Sequence, residues 1–378
     1  MNYELFCTFA PMSFVNTLLQ WFREHGRDLP WRDTSDPYAI WLSEIILQQT
    51  RIEQGRPYWE RFMRRWPTVE DLAAATEDEV LKEWQGLGYY SRARNLHFAA
   101  RQIVEMGGFP TTLEGIKNLK GVGDYTAAAI GSFAFGLPAA VVDGNVYRVL
   151  ARHYGITTPI NTTEGKKEFT ALAQSLLPIT SPLTPPLKRE GNLELPSSME
   201  EGQGVVGAYN QAMMDFGATQ CTPTSPHCED CPLQETCTAF RESRIDELPV
   251  KLRTLKVKER RLVYIYIRYQ GQTVLHRRPA GDIWQGLYEP YWIEVSGKKT
   301  EIGEVSANLS NLSPLTPTPS LLKKNVKHIL THRILYADFY LWEPTEKPSL
   351  PDGYFWISEA DRDQYAVPRL VEILFNSL

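Results

Sequence analysis

Near residue 260 the spacing of apolar residues changes, and that change limits what the chain can fold into. Before it, apolar residues recur at three and four positions, as in Ile40, Trp41, Ile45 and Ile46 followed by Gln48. From about Phe14 to Gly217 the sequence reads as mostly helical. After it, Leu262-Val263-Tyr264-Ile265-Tyr266-Ile267 and Thr273-Val274-Leu275-His276 read as strands around a turn centred on Gly271. Between the two, the charged stretch from Arg253 to Glu259 reads as a linker. The expectation is a multidomain chain: an all-α domain over 12–250, a linker at 251–259, and an α+β domain over 260–378. With 378 residues, 43% of them hydrophobic, the chain can fill two cores.

Two segments fit neither domain. Residues 178–204 and 309–322 are rich in Pro, Ser, Thr and Leu, and share the repeats Ser181-Pro182-Leu183-Thr184-Pro185 and Ser313-Pro314-Leu315-Thr316-Pro317. Such composition resists a packed core, so both are expected as surface insertions. Thr68, ahead of Val69-Glu70-Asp71-Leu72, reads as a helix cap.

The net charge of −5 argues weakly against a nucleic-acid partner, yet it averages over the chain. Five arginines and only two glutamates lie between Arg51 and Arg65, and Arg92, Arg94 and Arg101 follow. These are either solvated helix faces or phosphate contacts. No apolar run is long enough to span a bilayer, and the first eleven residues lack the basic start of a signal peptide. A cytoplasmic location away from membranes is expected.

Four of the five cysteines, Cys221, Cys228, Cys231 and Cys237, are separated by six, two and five residues. In a reducing compartment that clustering favours a metal over disulfides. Four thiolates can close a zinc site or hold a cubic iron–sulfur cluster. Zinc ribbons usually pair two C-x-x-C units, whereas here only Cys228 and Cys231 form one, which favours iron–sulfur.

The segment Leu119-Lys120-Gly121-Val122-Gly123-Asp124-Tyr125-Thr126-Ala127 lies between two helical stretches, at about 112–135. Gly121 and Gly123 allow a tight turn whose backbone N–H groups all face outward, and the following helix start adds its dipole. That makes an anion site able to hold a phosphate without reading sequence. Glu44, in Ser43-Glu44-Ile45-Ile46-Leu47-Gln48-Gln49-Thr50, shares a helix face with Ile40, Trp41 and Leu47. It is either satisfied by a partner or desolvated, with a raised pKa that lets it carry a proton near neutrality. Asp143, before Gly144-Asn145-Val146, is by position a helix N-cap.

Taken together, the Ser43–Thr50 segment, the hairpin, Val141-Val142-Asp143-Gly144-Asn145-Val146-Tyr147-Arg148-Val149-Leu150 and the cysteine spacing resemble the adenine DNA glycosylases of the MutY type, in the helix–hairpin–helix superfamily of endonuclease III. The resemblance covers nearly all of the chain. It implies a helix–hairpin–helix glycosylase domain with a [4Fe–4S] loop at 221–237, followed by a Nudix-like (MutT-like) domain. It implies base excision repair: hydrolysis of the bond to adenine paired with 8-oxoguanine or guanine in double-stranded DNA, by a monomer associated with the nucleoid through DNA. Glu44 would protonate the adenine ring and later handle water. Asp143, beside Asn145, would stabilise the sugar cation or attack it. Bifunctional relatives form a Schiff base through a hairpin lysine. Tyr125 stands at that place, so base removal without efficient strand cutting is expected.

The resemblance also places Arg27, Trp31, Arg32, Leu47 and Gln211 around the extruded adenine. It turns Gln49, Thr50 and Tyr89 to the opposite strand, with Tyr89 wedged into the stack. In the second domain it rests on Ile283-Trp284-Gln285-Gly286-Leu287-Tyr288-Glu289-Pro290 and Tyr354-Phe355-Trp356-Ile357. No glutamate-rich R-E-x-x-E-E box follows Trp284, so binding rather than hydrolysis is expected there. The family's F-S-H recognition loop corresponds to Leu330-Thr331-His332, in which Thr331 keeps the hydroxyl and His332 the imidazole. Two alternatives stand beside this reading: a bifunctional oxidised-pyrimidine glycosylase and lyase, and a lesion-binding protein without activity.

Overall fold

The computed structural model describes residues 6–178, 204–252, 257–295, 302–313 and 317–378, with side chains from Phe14 onward. The described chain forms fourteen α-helices and seven strands. The first helices are α1 (Phe6–His25), α2 (Pro37–Leu47), α3 (Ile52–Arg65), α4 (Val69–Ala74), α5 (Glu77–Trp84), α6 (Ser91–Glu105) and α7 (Leu113–Lys117). They are followed by α8 (Asp124–Phe135), α9 (Gly144–Tyr154), α10 (Thr163–Ser175), α11 (Gly204–Asp215) and α12 (Thr238–Arg241). A π-helical turn, Phe216–Gln220, extends α11. The strands are β1 (Lys258–Tyr269), β2 (Gln272–Arg277), β3 (Tyr288–Glu289), β4 (Tyr291–Val295), β5 (Ser320–Ile329), β6 (Arg333–Trp342) and β7 (Tyr354–Ser358). Helix α13 (Ile302–Ser310) lies between β4 and β5, and α14 (Arg369–Phe375) ends the chain.

Contacts divide the described residues into two compact units, and the division does not follow the linker. One unit holds residues up to Trp59, Thr68–Glu70, and Phe98 to residue 252. The other holds Glu60–Pro67, Asp71–His97, and residue 257 to Leu378. Polar contacts explain why α5 and the start of α6 belong with the sheet. Asp78 accepts from Arg277 at 2.9 Å and from the Tyr288 hydroxyl at 2.8 Å, Arg94 donates to the Gln285 carbonyl at 2.6 Å, and Gln85 donates to Glu372 at 2.7 Å.

In the first unit, caps set the helices that matter for the site. Asp36 accepts from Tyr38 N–H ahead of Pro37 and starts α2. The expected helix–hairpin–helix is present as α7, the glycine turn and α8. Helix α9 begins on Asp143 and ends on Gly155, which takes the left-handed conformation at φ 71°. Val146, Val149, Leu150 and Ala151 of α9 pack against α1, α10 and α11 in one buried cluster with Leu18, Trp21, Phe169, Tyr209 and Phe216.

The second unit is built on a mixed sheet in the order β3-β2-β1-β6-β5, with β4 also on β1 and β7 on β2. Among the described residues only the β1–β6 pairing is parallel. Tyr269 and Gln272 pair across Gln270-Gly271, both with φ above zero, which is the two-residue turn that matches strand twist. Leu262, Tyr264, Leu335, Ala337 and Phe339 face α14. Val263, Ile265, Ile267, Tyr340 and Trp342 face α13.

Two expectations are corrected here. The described part of residues 309–322 is not held off the core: Leu309 and Leu312 are buried in the cluster under α13, and Ser320-Leu321-Leu322 open β5, while residues 314–316 lie outside the described residues. The apolar residues of that segment outweigh its turn-forming ones. The linker is also shorter than expected, because Lys258 and Glu259 already pair with Arg333 and Ile334 of β6. Residues 179–203 and 253–256 lie outside the described residues.

Candidate active site

The N-terminal end of α9, the C-terminal end of α2 and the start of α8 wall one cavity of about 700 Å³ in the first unit. Glu44 and Asp143 both line it, together with Tyr125, Asn145, Arg27, Trp31, Arg32, Leu47, Gln49, Thr50 and Gln211. The structure thus gathers eleven of the residues singled out in the sequence, from segments as far apart as 27 and 211.

Glu44 is 7% exposed, set in α2 among buried Ile40, Trp41, Ile45 and Ile46. The Tyr125 hydroxyl donates to its Oε2 at 2.7 Å. Burial pushes the Glu44 carboxyl up, the Tyr125 bond pulls it down, and the nearby Asp143 raises it again against Arg32, leaving it at about 7. Tyr125 is itself held protonated, its pKa raised well above the phenol value by burial and by the Glu44 charge.

Asp143 caps α9 as its position requires: Oδ1 accepts from the N–H groups of Asn145 and Val146, each at 2.9 Å. Its Oδ2 accepts from the Asn145 side-chain amide at 2.6 Å. Burial raises the carboxyl above its ordinary value, and these hydrogen bonds partly offset the rise. Both carboxyls are thus biased toward holding a proton, Asp143 less so because three donors favour its charge.

Three residues of the site carry no weight in the sequence reading. Asp215, fully buried at the end of α11, accepts from Arg27 N–H and Nε at 2.9 Å and from Arg32 at 2.7 and 2.8 Å. Burial pushes the Asp215 carboxyl up, but the two guanidiniums outweigh it and hold it below the usual range. Arg27 and Arg32, expected to face adenine, line the cavity while directing these donors at Asp215. Two arginines five residues apart on a buried wall need a counter-anion, and that need is the signal for Asp215. Arg148 is the second. It donates to Asn145 Oδ1 at 2.8 Å and, through Nε, to the Cys221 carbonyl at 2.7 Å, so it fixes the amide that holds Asp143. Gln48 is the third, donating to the Thr126 hydroxyl at 3.1 Å and tying α2 to α8.

The glycine turn is only partly as expected. Gly121 has φ 79°, and Gly123 precedes α8 with open space where a Cβ would stand. Its N–H groups do not all face outward: Val122 N–H closes the turn on the Leu119 carbonyl, and Lys120 N–H donates to Gln102. The N–H groups of Gly121 and Gly123 take no such bond among the described residues, so the anion site narrows to these and the first turn of α8.

The four cysteines are free and half-buried. All four line one cavity of about 30 Å³, with Arg152 and Leu233. Arg152 Nη1 lies 3.5 Å from Cys221 Sγ and donates to the Thr222 carbonyl at 2.7 Å. Burial pushes the Cys231 thiol up to about 11 and raises Cys228 and Cys237, so thiolates there require added positive charge. Among the described residues no three His, Cys, Asp or Glu side chains gather on a single-ion point.

Tyr89, Thr331 and His332 are not part of the cavity. They belong to the second unit, where Tyr89, 47% exposed with φ 46°, shares a short hydrogen bond between its hydroxyl and that of Thr331. Thr331 and His332 are exposed in the turn between β5 and β6. Among the described residues no helix is long and apolar enough to cross a membrane.

Known proteins match this arrangement. The family model described as HhH-GPD superfamily base excision DNA repair protein matches residues 42–178, and the NUDIX domain model matches residues 263–377. A solved thermostable thymine-DNA glycosylase is 31% identical with a TM-score of 0.52, over 61% of this chain and 97% of that one. The human protein named adenine DNA glycosylase is 39% identical over 65% of this chain and 43% of its own length. The chain spans less than half of the human, mouse and rat relatives it matches. The adenine DNA glycosylase of Buchnera aphidicola subsp. Baizongia pistaciae is 30% identical over 86% of this chain and 84% of its own length. With both halves matched and a relative aligned along most of its length, the chain belongs to the adenine DNA glycosylase family.

Proposed function

We propose that this chain hydrolyses the N-glycosidic bond of adenine paired with 8-oxoguanine or guanine in duplex DNA. One observation carries the reading: two carboxyls of different tuning, Glu44 and Asp143, open onto a single cavity large enough for a flipped base. Glu44, with a pKa of about 7, donates its proton to the adenine ring. The bond from sugar to base breaks, adenine leaves neutral, and the sugar becomes an oxocarbenium ion. The Asp143 carboxylate stabilises that cation or captures it, then water adds and its proton returns to Glu44. Asn145 and Arg148 keep Asp143 aimed. Tyr125 holds Glu44 in place and, lacking an amine, forms no Schiff base, which supports a monofunctional enzyme. Gln211 and Trp31 offer an amide and a ring to the base.

Cys221, Cys228, Cys231 and Cys237 are suited to hold a [4Fe–4S] cluster, since four free, half-buried thiols line one cavity. Bound there, a cluster would let its iron offset the four thiolate charges and would stiffen the loop. Iron analysis of the purified protein tests it. A brown, iron-loaded protein is expected, and a colourless, active, zinc-loaded protein overturns the assignment. The turn at Thr331 is read as the sensor of the base opposite adenine, with Tyr89 as the wedge.

The reaction is tested by incubating the protein with a duplex holding one A:8-oxoguanine pair and treating half with alkali. Strand breaks only after alkali are expected. Breaks without alkali would make the chain a lyase, and none in either half would make it a binder.

A further inference from the structure

We propose that the outward face of β5 is a phosphate-binding surface that carries the duplex backbone up to the Thr331 turn. The inference rests on the reading of the chain as a duplex-DNA enzyme and adds residues that this reading does not use.

From Ser320 to Arg333 the chain has four basic residues, two histidines and no acid, although the whole molecule has a net charge of −5. Strand β5 lies at the edge of its sheet, paired only with β6 among the described residues. Its inner positions, Leu322, Val326 and Leu330, pack against the core under α14. An irregularity between Lys323 and Val326 places both Lys323 and Lys324 in solvent, and beyond it Lys327, Ile329 and Thr331 are exposed on alternate residues. None of the three lysines has an ion pair or side-chain hydrogen bond among the described residues. They are spread over about 13 Å of exposed edge, from Lys323 to Lys327, long enough to follow two or three phosphates of one strand.

The simpler reading is that lysines on an edge strand block pairing with another sheet. Ile329 argues against it. It is 67% exposed, the most exposed large hydrophobic among the described residues, and it sits on the same open face. A guarded edge would not present that side chain, whereas a surface covered by a sugar–phosphate backbone would bury it. The row also leads into Thr331, whose hydroxyl is bonded to Tyr89. Lysines there would set the position of the duplex over the groups that read it, without reading sequence themselves.

The test compares two full-length variants that lose the same charge: Lys323→Ala/Lys324→Ala/Lys327→Ala, and Lys166→Ala/Lys167→Ala/Lys251→Ala as the control. Affinity is measured over a range of salt for a duplex with 2′-fluoro-adenosine, which resists hydrolysis, opposite 8-oxoguanine, and for an undamaged duplex. Each lost phosphate contact flattens the plot of log K against log salt by about 0.9. The β5 variant is expected to lose roughly 2 to 3 from that slope on both duplexes, and the control less than one. Equal slopes for the two variants, or a β5 variant that self-associates with an unchanged slope, would overturn the proposal. The undamaged duplex separates this from the reaction: a changed slope in a protein that releases no adenine keeps the surface and removes the glycosylase.

Discussion

The Tyr125 hydroxyl donates to Glu44 Oε2 across 2.7 Å, joining α8 to α2 and setting the acidity of the group that would protonate the base. That bond favours the ionised carboxyl, against burial, which favours the neutral one. Removing it has a definite sign. Tyr125→Phe should raise the Glu44 pKa above about 7 and move the alkaline limb of single-turnover adenine release to higher pH, by about half to one unit. A limb that stays in place would detach Tyr125 from the acid.

Glu44 should also cost the fold stability. Its folded pKa of about 7 exceeds the unfolded value of 4.5, so the folded state binds the proton more tightly between the two. Stability from this group is present below about 4.5 and is lost as pH rises through about 7. Glu44→Gln keeps an acceptor for Tyr125 and removes the buried charge. Denaturant melts should show it more stable than the parent at pH 8, by up to about 3 kcal/mol, with the gap closing at pH 5. An equal gap at both pH values would mean that the carboxyl is not desolvated.

Asp215→Asn should be destabilising, because it leaves Arg27 and Arg32 without their shared anion on a buried wall. The loss should be on the order of 3 kcal/mol, at the low end for a buried pair because Arg27 retains solvent contact. The depressed Asp215 carboxyl contributes above the ordinary carboxylate range and fails as pH falls through its folded value, so parent and variant should converge in acid.

The two glycines of the hairpin should separate folding from binding. Gly121→Ala forces a side chain to φ 79° and should lose about 1–2 kcal/mol of stability. Gly123→Ala meets open space and should leave the melt unchanged, yet a methyl beside the free N–H groups should weaken binding even to undamaged duplex. Full DNA affinity in Gly123→Ala would dismiss the anion site.

What the sequence made legible was local. Apolar neighbours one turn away leave Glu44 either paired or desolvated, and the structure shows it both buried and bonded to Tyr125, while the step before Gly144 is enough to make Asp143 a cap. Partners remote along the chain were not legible: 81 residues separate Tyr125 from Glu44, and 188 separate Arg27 from Asp215. Arg148 looks like an ordinary helix residue until the fold lays the Cys221 carbonyl beside it. Where sequence and structure differ, the cause is physical. The Pro and Ser content of residues 309–322 points to a loop, but Leu309 and Leu312 lie three apart and bury together. The charge of Lys258 and Glu259 points to a linker, but the exposed end of a strand tolerates charge as well as a linker does.

The most direct measurement is free adenine released in a single turnover from a duplex with one A:8-oxoguanine pair, by the parent and by Glu44→Gln at equal occupancy. The parent should liberate the base with an alkaline limb near pH 7, and the variant should bind the duplex while releasing essentially none. Release by Glu44→Gln at the parent's rate would contradict a proton donor at this position, whatever else the cavity does.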